Sequence, residues 1–325
     1  MKYRVFGKRD FMTSEVGLGC WQLGSSWGNV PDETAMRILN AAYDSGVNFY
    51  DTADIYGKGR SETFIGKFLK GKKGVFVATK VGKDNSLHPD NFTEQAVTAC
   101  IDSSLKRLGV DALDLVQLHC VPLEILKQGD IFELMRKLWI QGKIKQWGAS
   151  VESMEEALVC MEHDDCISLQ IIFNIFRRKP LDAIFEQCKE KNISLIIRLP
   201  VASGLLTGKM TKTSTFAQND HRTFNRDGQA FNVGETFAGL PFELGVELAD
   251  ELKQYVPKGM SMAQFALRWI LDFDAVSVVI PGASRPAQAV DNAKASDLPP
   301  LNEDLHRKLK DFYEQKVKSH IRGIY

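Results

Sequence analysis

Long hydrophobic runs are missing from this 325-residue chain. None approaches the ~20 apolar residues that cross a bilayer, and Met1-Lys2-Tyr3-Arg4 leads into no apolar segment of a secretory leader. A cytoplasmic protein with no membrane partner is expected. Excess charge is missing too: Lys+Arg and Asp+Glu each number 41, for a formal net charge of zero. That excludes a nucleic-acid surface resting on bulk positive charge. The six cysteines, at 20, 100, 120, 160, 166 and 188, show no CxxC spacing. Neither a zinc ribbon nor a thioredoxin-type pair is suggested, no metal site is expected, and free buried thiols are the reading. Internal repeats, low-complexity tracts and linkers are absent as well, which leaves a single domain over residues 1–325 as the expectation.

What is present is alternation. Strand-like runs occur at Val16 to Trp21, Val47 to Asp51, Val75 to Val81, Leu113 to His119, Ile144 to Ser150, Ile167 to Phe173, Leu195 to Val201 and Val276 to Pro281. Between them lie amphipathic stretches at Asp32 to Ser45, Ser61 to Leu69, Thr93 to Leu108, Ile125 to Ile140, from Ser153, at Leu181 to Lys191, Phe242 to Tyr255 and Ser261 to Leu271. The Ser153-x-x-Glu156 spacing fits a capping box. Strands separated by helices must run parallel, because hairpins cannot join them. Eight such units predict an α/β fold, a (β/α)8 TIM barrel. An open doubly wound sheet is disfavoured, since Gly17-Leu18-Gly19-Cys20-Trp21-Gln22 lacks the glycine that a dinucleotide-binding first turn carries at its sixth position. Two additions are expected. Residues 2 to 18 read as an N-terminal β-hairpin closing the barrel bottom, with Tyr3-Arg4-Val5 and Val16-Gly17-Leu18 as its arms. Gly208 to Gly239 reads as a long irregular loop after the seventh strand, hanging over the C-terminal mouth as a lid or as a solvated segment.

Ionisable groups terminate several runs: Asp51, Lys80 and His119, with Tyr56 on the loop after Asp51. Taken singly, each has an ordinary explanation in a loop or at a solvated edge. In a barrel, however, all the strand ends converge on one mouth, and an apolar scaffold gives no reason to gather an acid, a phenol, an amine and an imidazole there. The chemistry of the set is specific. A nearby ammonium favours the phenolate and is expected to lower the Tyr56 pKa from its reference of ≈ 10. In a dry pocket Lys80 needs a carboxylate to hold it charged, a role for Asp51. His119 is placed to orient a carbonyl oxygen for proton transfer from Tyr56. These residues stabilise a developing alkoxide but hold no electrons, so a hydride donor is implied.

NFYDTADIYGKGRSE and YRVFGKRDFMTSEVGLGCWQLG resemble the most specific signature and the amino-terminal hairpin of the aldo-keto reductase superfamily, and the resemblance covers essentially the whole chain. It implies an oxidoreductase that binds NADPH/NADP+, in preference to NADH, across the barrel mouth and reduces a small-molecule carbonyl substrate. It makes Asp51, Tyr56, Lys80 and His119 the catalytic tetrad. A related branch serves as potassium-channel β subunits but typically has Asn where this chain has His119. A redox-sensing or regulatory NADP(H)-binding protein is therefore the alternative. Ser150 and Gln170 resemble the residues that hydrogen-bond the nicotinamide carboxamide, although Val151 stands where the family usually has Asn. Cys20 and Trp21, at the end of the first strand, are expected beside the cofactor. Arg198-Leu199-Pro200-Val201 through Lys209 resembles the segment crossing the nicotinamide and pyrophosphate. Arg198 occupies a position commonly held by a stacking aromatic. A guanidinium plane stacks as well, with an ion pair to a neighbouring acid as the alternative. Gly282, Ser284, Arg285, Gln288, Asp291 and Asn292 match the adenosine-phosphate segment. A helix beginning near Pro286 beside Arg285 suits the 2′-phosphate that separates NADPH from NADH. Trp21, Trp27, Ile55, Cys120 and Val121 are expected as substrate-pocket walls, mostly apolar.

Overall fold

The computed structural model describes every residue except 9, 10, 25, 26 and 29. Among the described residues ten strands follow in chain order: β1 (Tyr3–Phe6), β2 (Phe11–Ser14), β3 (Leu18–Gly19), β4 (Phe49–Asp51), β5 (Phe76–Val81), β6 (Leu115–His119), β7 (Trp147–Ser150), β8 (Cys166–Ile172), β9 (Ser194–Arg198) and β10 (Val276–Val279). β3 to β10 form one eight-stranded sheet in sequential order, parallel at every step. Its two edges meet through parallel bridges Val16↔Val279 and Gly19↔Gly282, with Gly17 N donating to Val279 O at 2.8 Å. The chain is glycine at 17 and 19 because a Cβ there would lie 2.9 Å from Phe49 O and 2.7 Å from Ile280 O. The expected (β/α)8 barrel is the observed one.

β1 and β2 form the antiparallel hairpin, in the register Tyr3↔Ser14 to Phe6↔Phe11. Its second arm is Phe11–Ser14, not the Val16 to Leu18 segment expected, which instead leads into the first barrel strand. The reason lies in the side chains: Phe6 and Phe11 plug the barrel floor, with rings 5.6 and 4.5 Å from Phe76.

Side chains alternate along each strand, and this separates two apolar layers. Tyr50, Val77, Val116, Leu118, Leu169, Ile171, Leu195 and Ile197 face the surrounding helices. Phe49, Phe76, Ala78, Leu115, Ile196 and Val278 face the barrel interior with Phe6. Helices cover the outside much as the periodicity predicts, Asp32–Asp44 burying Ala35, Ile38, Leu39 and Ala42. The capping box at Ser153 is present, Glu156 N donating to Ser153 Oγ at 3.1 Å and Ser153 N to Glu156 Oε2 at 3.2 Å. Two expected helices are broken. Residues 125 to 140 divide into Leu123–Gln128 and Asp130–Ile140 because Gly129 turns left-handed at φ 88°. The second becomes Lys179–Ala183 and Phe185–Glu190 around Ile184. A further helix, Glu303–Phe312, follows the eighth unit, capped by the Asn302 side chain. Among the described residues no helix is long and apolar enough to cross a membrane. The cysteines are free thiols, all buried but the half-buried Cys100.

The segment from 208 to 239 is divided: residues 211 to 219 are largely exposed, while 220, 221, 225 and 234 to 239 are buried. It carries the short helix His221–Phe224, and fully buried His221 lies with its ring 4.7 Å from Trp21 and 4.3 Å from Trp27. Arg222 is fixed by two bonds to Asp220 (2.9 and 2.6 Å) and covers the Trp27 ring at 4.8 Å.

Candidate active site

The inward-facing positions change character toward the C-terminal ends of the strands. Asp51 follows Phe49 by two residues, Lys80 follows Ala78, His119 follows Gln117 and Leu115, and Arg198 follows Ile196. Parallel register sets them side by side: Lys80 opposite Gln117, His119 opposite Ser150, and Ser150 opposite Gln170. The barrel thus makes neighbours of residues that are remote in the chain.

Lys80 is almost wholly buried, and each of its three ammonium hydrogens has an acceptor: Asp51 Oδ1 at 2.6 Å, Thr52 O at 2.7 Å and the Tyr56 hydroxyl at 3.2 Å. The other oxygen of Asp51 accepts from Gln117 Nε2 at 3.1 Å and Gln170 Nε2 at 2.6 Å. A buried ion pair of this kind costs about 3–5 kcal/mol to break by removing one partner. Because an ammonium can only donate, the Tyr56 oxygen must accept from Lys80, and its own hydrogen points elsewhere, free to be given away. The His119 ring stands edge-on to Tyr56, centroids 6.1 Å apart at 83°.

The electrostatics correct one expectation. The Tyr56 pKa is held well above the ordinary phenol value, first by burial and then by the carboxylates of Asp51 and Glu235, with Arg198 acting the other way. Desolvating the phenolate outweighs the Arg198 cation, so the shift runs upward and not downward as expected. Burial, with the charges of Lys83, Lys80 and Arg198, pushes His119 well below the usual histidine range. It is a neutral imidazole at physiological pH.

These groups open onto a groove of about 1390 Å³ that runs from Tyr56 and His119 past Arg198 to Ser284, Arg285 and Asn292. That exceeds the upper end, ≈ 1,000 Å³, of ordinary small-molecule pockets, leaving room for an extended ligand beside a second, smaller one.

The profile of the Aldo/keto reductase family matches residues 15–314. The aldo-keto reductase YhdN of Bacillus subtilis is 31% identical over 89% of this chain and 86% of its own. The aldo-keto reductase yakc [NADP(+)] of Schizosaccharomyces pombe is 26% identical, over 83% of this chain and 80% of its own. The glycerol dehydrogenase AKR11B4 of Gluconobacter oxydans superposes with a TM-score of 0.79 at 28% identity, covering 99% of this chain and 98% of that one. The chain belongs to the aldo-keto reductase family.

In this aldo-keto reductase Asp51, Lys80 and Tyr56 share one hydrogen-bonded network, while His119 meets Tyr56 only by its ring and its Nδ1 has no hydrogen-bond partner among the described residues. Of the residues expected along the cofactor and substrate, Trp21, Ser150, Gln170, Arg198, Leu199, Pro200, Val201, Lys209, Gly282, Ser284, Arg285, Gln288, Asp291 and Asn292 border the groove, as do Trp27, Ile55 and Cys120. Two expected residues do not. Cys20 is fully buried with its thiol on Leu18 O at 3.6 Å, and Val121 is buried in the layer between barrel and helices. Each follows a groove-facing or strand-end position by one residue, and alternation turns it away. Gln170 spends both amide hydrogens inside the network, on Asp51 and on Gln117 Oε1 at 3.2 Å. Only its carbonyl oxygen is left for the groove, with Ser150 Oγ 3.5 Å away. Arg198 makes the ion pair that was the alternative for it, Nη1 to Glu235 Oε2 at 2.5 Å, and Nη2 donates to Val151 O at 3.0 Å. Arg285 is exposed and unpaired among the described residues, at the N-terminus of helix Pro286–Ala293. A cation at a helix N-terminus is a fit for a phosphate.

Sequence reasoning missed Gln117, Lys83, Glu152 and Glu235. Gln117 had a signal, since it lies two residues before His119 and so on the same strand face. Lys83 and Glu152 pair at 3.3 Å across loops 69 residues apart, and Glu235 reaches Arg198 from the segment over the mouth. Neither contact has a local signature.

Proposed function

We propose that this chain is an NADPH-dependent reductase of aldehydes or ketones. The observation that carries the reading is the third hydrogen of Lys80, which occupies the Tyr56 oxygen and leaves the phenol proton available. NADPH, held along the groove by Arg285, Ser284 and the residues from Arg198 to Lys209, would supply a hydride to the carbonyl carbon. Tyr56 gives its proton to the carbonyl oxygen, and Lys80, held by Asp51, Gln117 and Gln170, keeps the phenol in place and stabilises the negative charge it acquires. His119, neutral, offers a hydrogen bond that orients the carbonyl oxygen without adding a cation. Arg198, held by Glu235 and Val151, borders the groove where the nicotinamide ring would lie. Arg285 and Ser284 hold the 2′-phosphate. One relative carries NADP(+) in its name, and a solved relative is called a glycerol dehydrogenase, which is the same hydride exchange run toward the carbonyl.

In Tyr56→Phe, kcat falls by about 10²–10⁴, while NADPH binding, followed by fluorescence titration, stays as in the parent. A variant that reduces its best carbonyl at nearly the parent rate would refute the proton-donor role. Titration with both nucleotides checks the cofactor: NADPH binds more tightly than NADH, and Arg285→Ala narrows the gap.

A further inference from the structure

The segment over the mouth is held by residues that never border the groove. Glu235, whose carboxylate pairs with Arg198, lies two residues before a tight elbow. There Phe237, Ala238 and Gly239 have φ of 53°, 58° and 85°, a left-handed run in which two of the residues carry a Cβ. Such residues persist only where their surroundings impose them. Ser203, which borders the groove, supplies part of this: its hydroxyl donates to Glu235 O at 3.3 Å and accepts from Phe237 N at 3.1 Å. Two arginines that do not border it supply the rest.

Arg322 spends all three guanidinium nitrogens on the segment. Nε donates to Gly239 O at 2.9 Å, Nη2 to Leu240 O at 3.1 Å and Nη1 to Asp227 Oδ1 at 2.8 Å. Its backbone N–H adds a bond to Gly239 O at 3.2 Å. Gly323 lets the chain come this close, since a Cβ there would lie 2.6 Å from Val233 Cγ1 and 2.8 Å from Asn232 Oδ1.

Arg177 is almost wholly buried. Burial pushes its guanidinium down to about 10, so it is still a cation at neutral pH. Its bonds go to carbonyls of two segments: Nη1 donates to Ala238 O at 3.4 Å and Nη2 to Ile324 O, and the Tyr325 ring lies 4.3 Å from its central carbon. Tyr325 is itself fixed, its hydroxyl 2.7 Å from that of Tyr313 and accepting from Lys179 N at 2.9 Å. A hydrocarbon of similar volume would fill this space without the cost of burying a charge. What the guanidinium adds is a rigid fork of donors that fixes carbonyls of both segments at once.

We propose that Arg177 and Arg322 are positioning residues: they strap residues 322 to 325 onto the elbow, hold it left-handed, and so set Glu235 against Arg198 in the groove. The strap stands independently of the reductase reading, while its effect on nucleotide binding rests on that reading.

The first measurement needs no nucleotide. Hydrogen exchange read by mass spectrometry follows the elbow amides, of which those of Glu235, Thr236, Gly239 and Leu240 bond to carbonyls of residues 232 to 237 at 3.0 to 3.1 Å. In Arg322→Ala these amides exchange faster by about tenfold or more, Arg322→Lys recovers part of the protection, and the helix Asp32–Asp44 keeps the parent rate. Unchanged elbow exchange, or a rise shared by that helix, overturns the proposal. Arg177→Met repeats the Arg322→Ala result, and a parent-like elbow there removes Arg177 from the strap. The second measurement is fluorescence titration with NADPH. Arg322→Ala and Glu235→Gln each weaken binding by about tenfold, and the double variant binds no more weakly than Glu235→Gln alone, because the strap acts through Glu235. Losses that multiply overturn the proposal. A parent protein that binds no NADPH removes the reductase reading, and the exchange result then decides the strap.

Discussion

Phe49 and Asp51 lie two residues apart on one strand and face the same interior, yet they belong to different materials. At the floor, Phe49 meets Phe6 and Phe76 with ring centroids 5.5 Å away in each case. The set is dry and fully apolar, and the hairpin seals it. At the mouth, Asp51 is as deeply buried but is satisfied only by specific donors, Lys80 and two glutamines. The floor tolerates any side chains of the right volume. The mouth tolerates only its own set, because each buried charge depends on a named partner. Both ends contribute to stability, but the reactive groups gather at only one of them, although both are built on the same strands.

Substitutions that exchange these characters sharpen the contrast. The largest effect is expected for Lys80→Met, which leaves Asp51 uncompensated and Tyr56 without its cation. Turnover drops by about 10²–10⁴ and the protein loses about 3–5 kcal/mol, read from steady-state rates and from denaturant unfolding. Retention of both activity and stability would mean that the pair is not organised as described. Phe49→Ala, its counterpart at the floor, costs a similar 3–5 kcal/mol but leaves kcat/KM largely untouched at temperatures where the protein is folded. A rate loss in proportion to the stability loss would dissolve the division between the two ends.

A smaller effect is expected at Asp54, on the loop that follows β4. Its carboxyl is buried, and its Oδ2 has no hydrogen-bond partner among the described residues. Burial first, and then Glu62 and Asp84, raise its pKa to about 7, against the opposing Arg107 and the Ile55 N–H. The folded state binds this proton more tightly than the unfolded chain does. The stabilisation is therefore complete below the unfolded value of 3.8 and is lost as pH rises from about 4 to about 7. Asp54→Asn removes that slope and makes the protein more stable at pH 8, by an amount on the order of a few kcal/mol at most. Unfolding free energies at pH 5 and pH 8 check it, and an unchanged difference between them would show that Asp54 is not the group responsible.

The parts that were legible in the sequence are those with a short period or a local signal. Alternation placed the eight strands, the Ser153 capping box announced its helix, and polar residues ending apolar runs marked Asp51, Lys80 and His119. Where the reading slipped, two elements of similar pattern competed. Val16 to Leu18 looks like a hairpin arm until Phe11 is seen against Phe76, and residues 125 to 140 look like one helix until Gly129 turns left-handed. Tyr56 was placed correctly but its acidity was not, because the cost of burying a phenolate depends on how much water the finished mouth excludes.

By itself, then, the order of residues determined the barrel, the hairpin's existence and the four groups at the strand ends, since each follows from side-chain spacing along a few consecutive positions. Only the folded structure decided that Lys83 meets Glu152, that Arg198 meets Glu235, and that burial moves the Tyr56 pKa up and not down. Those outcomes depend on distance, and on water removed, between segments tens of residues apart, and no local pattern encodes either.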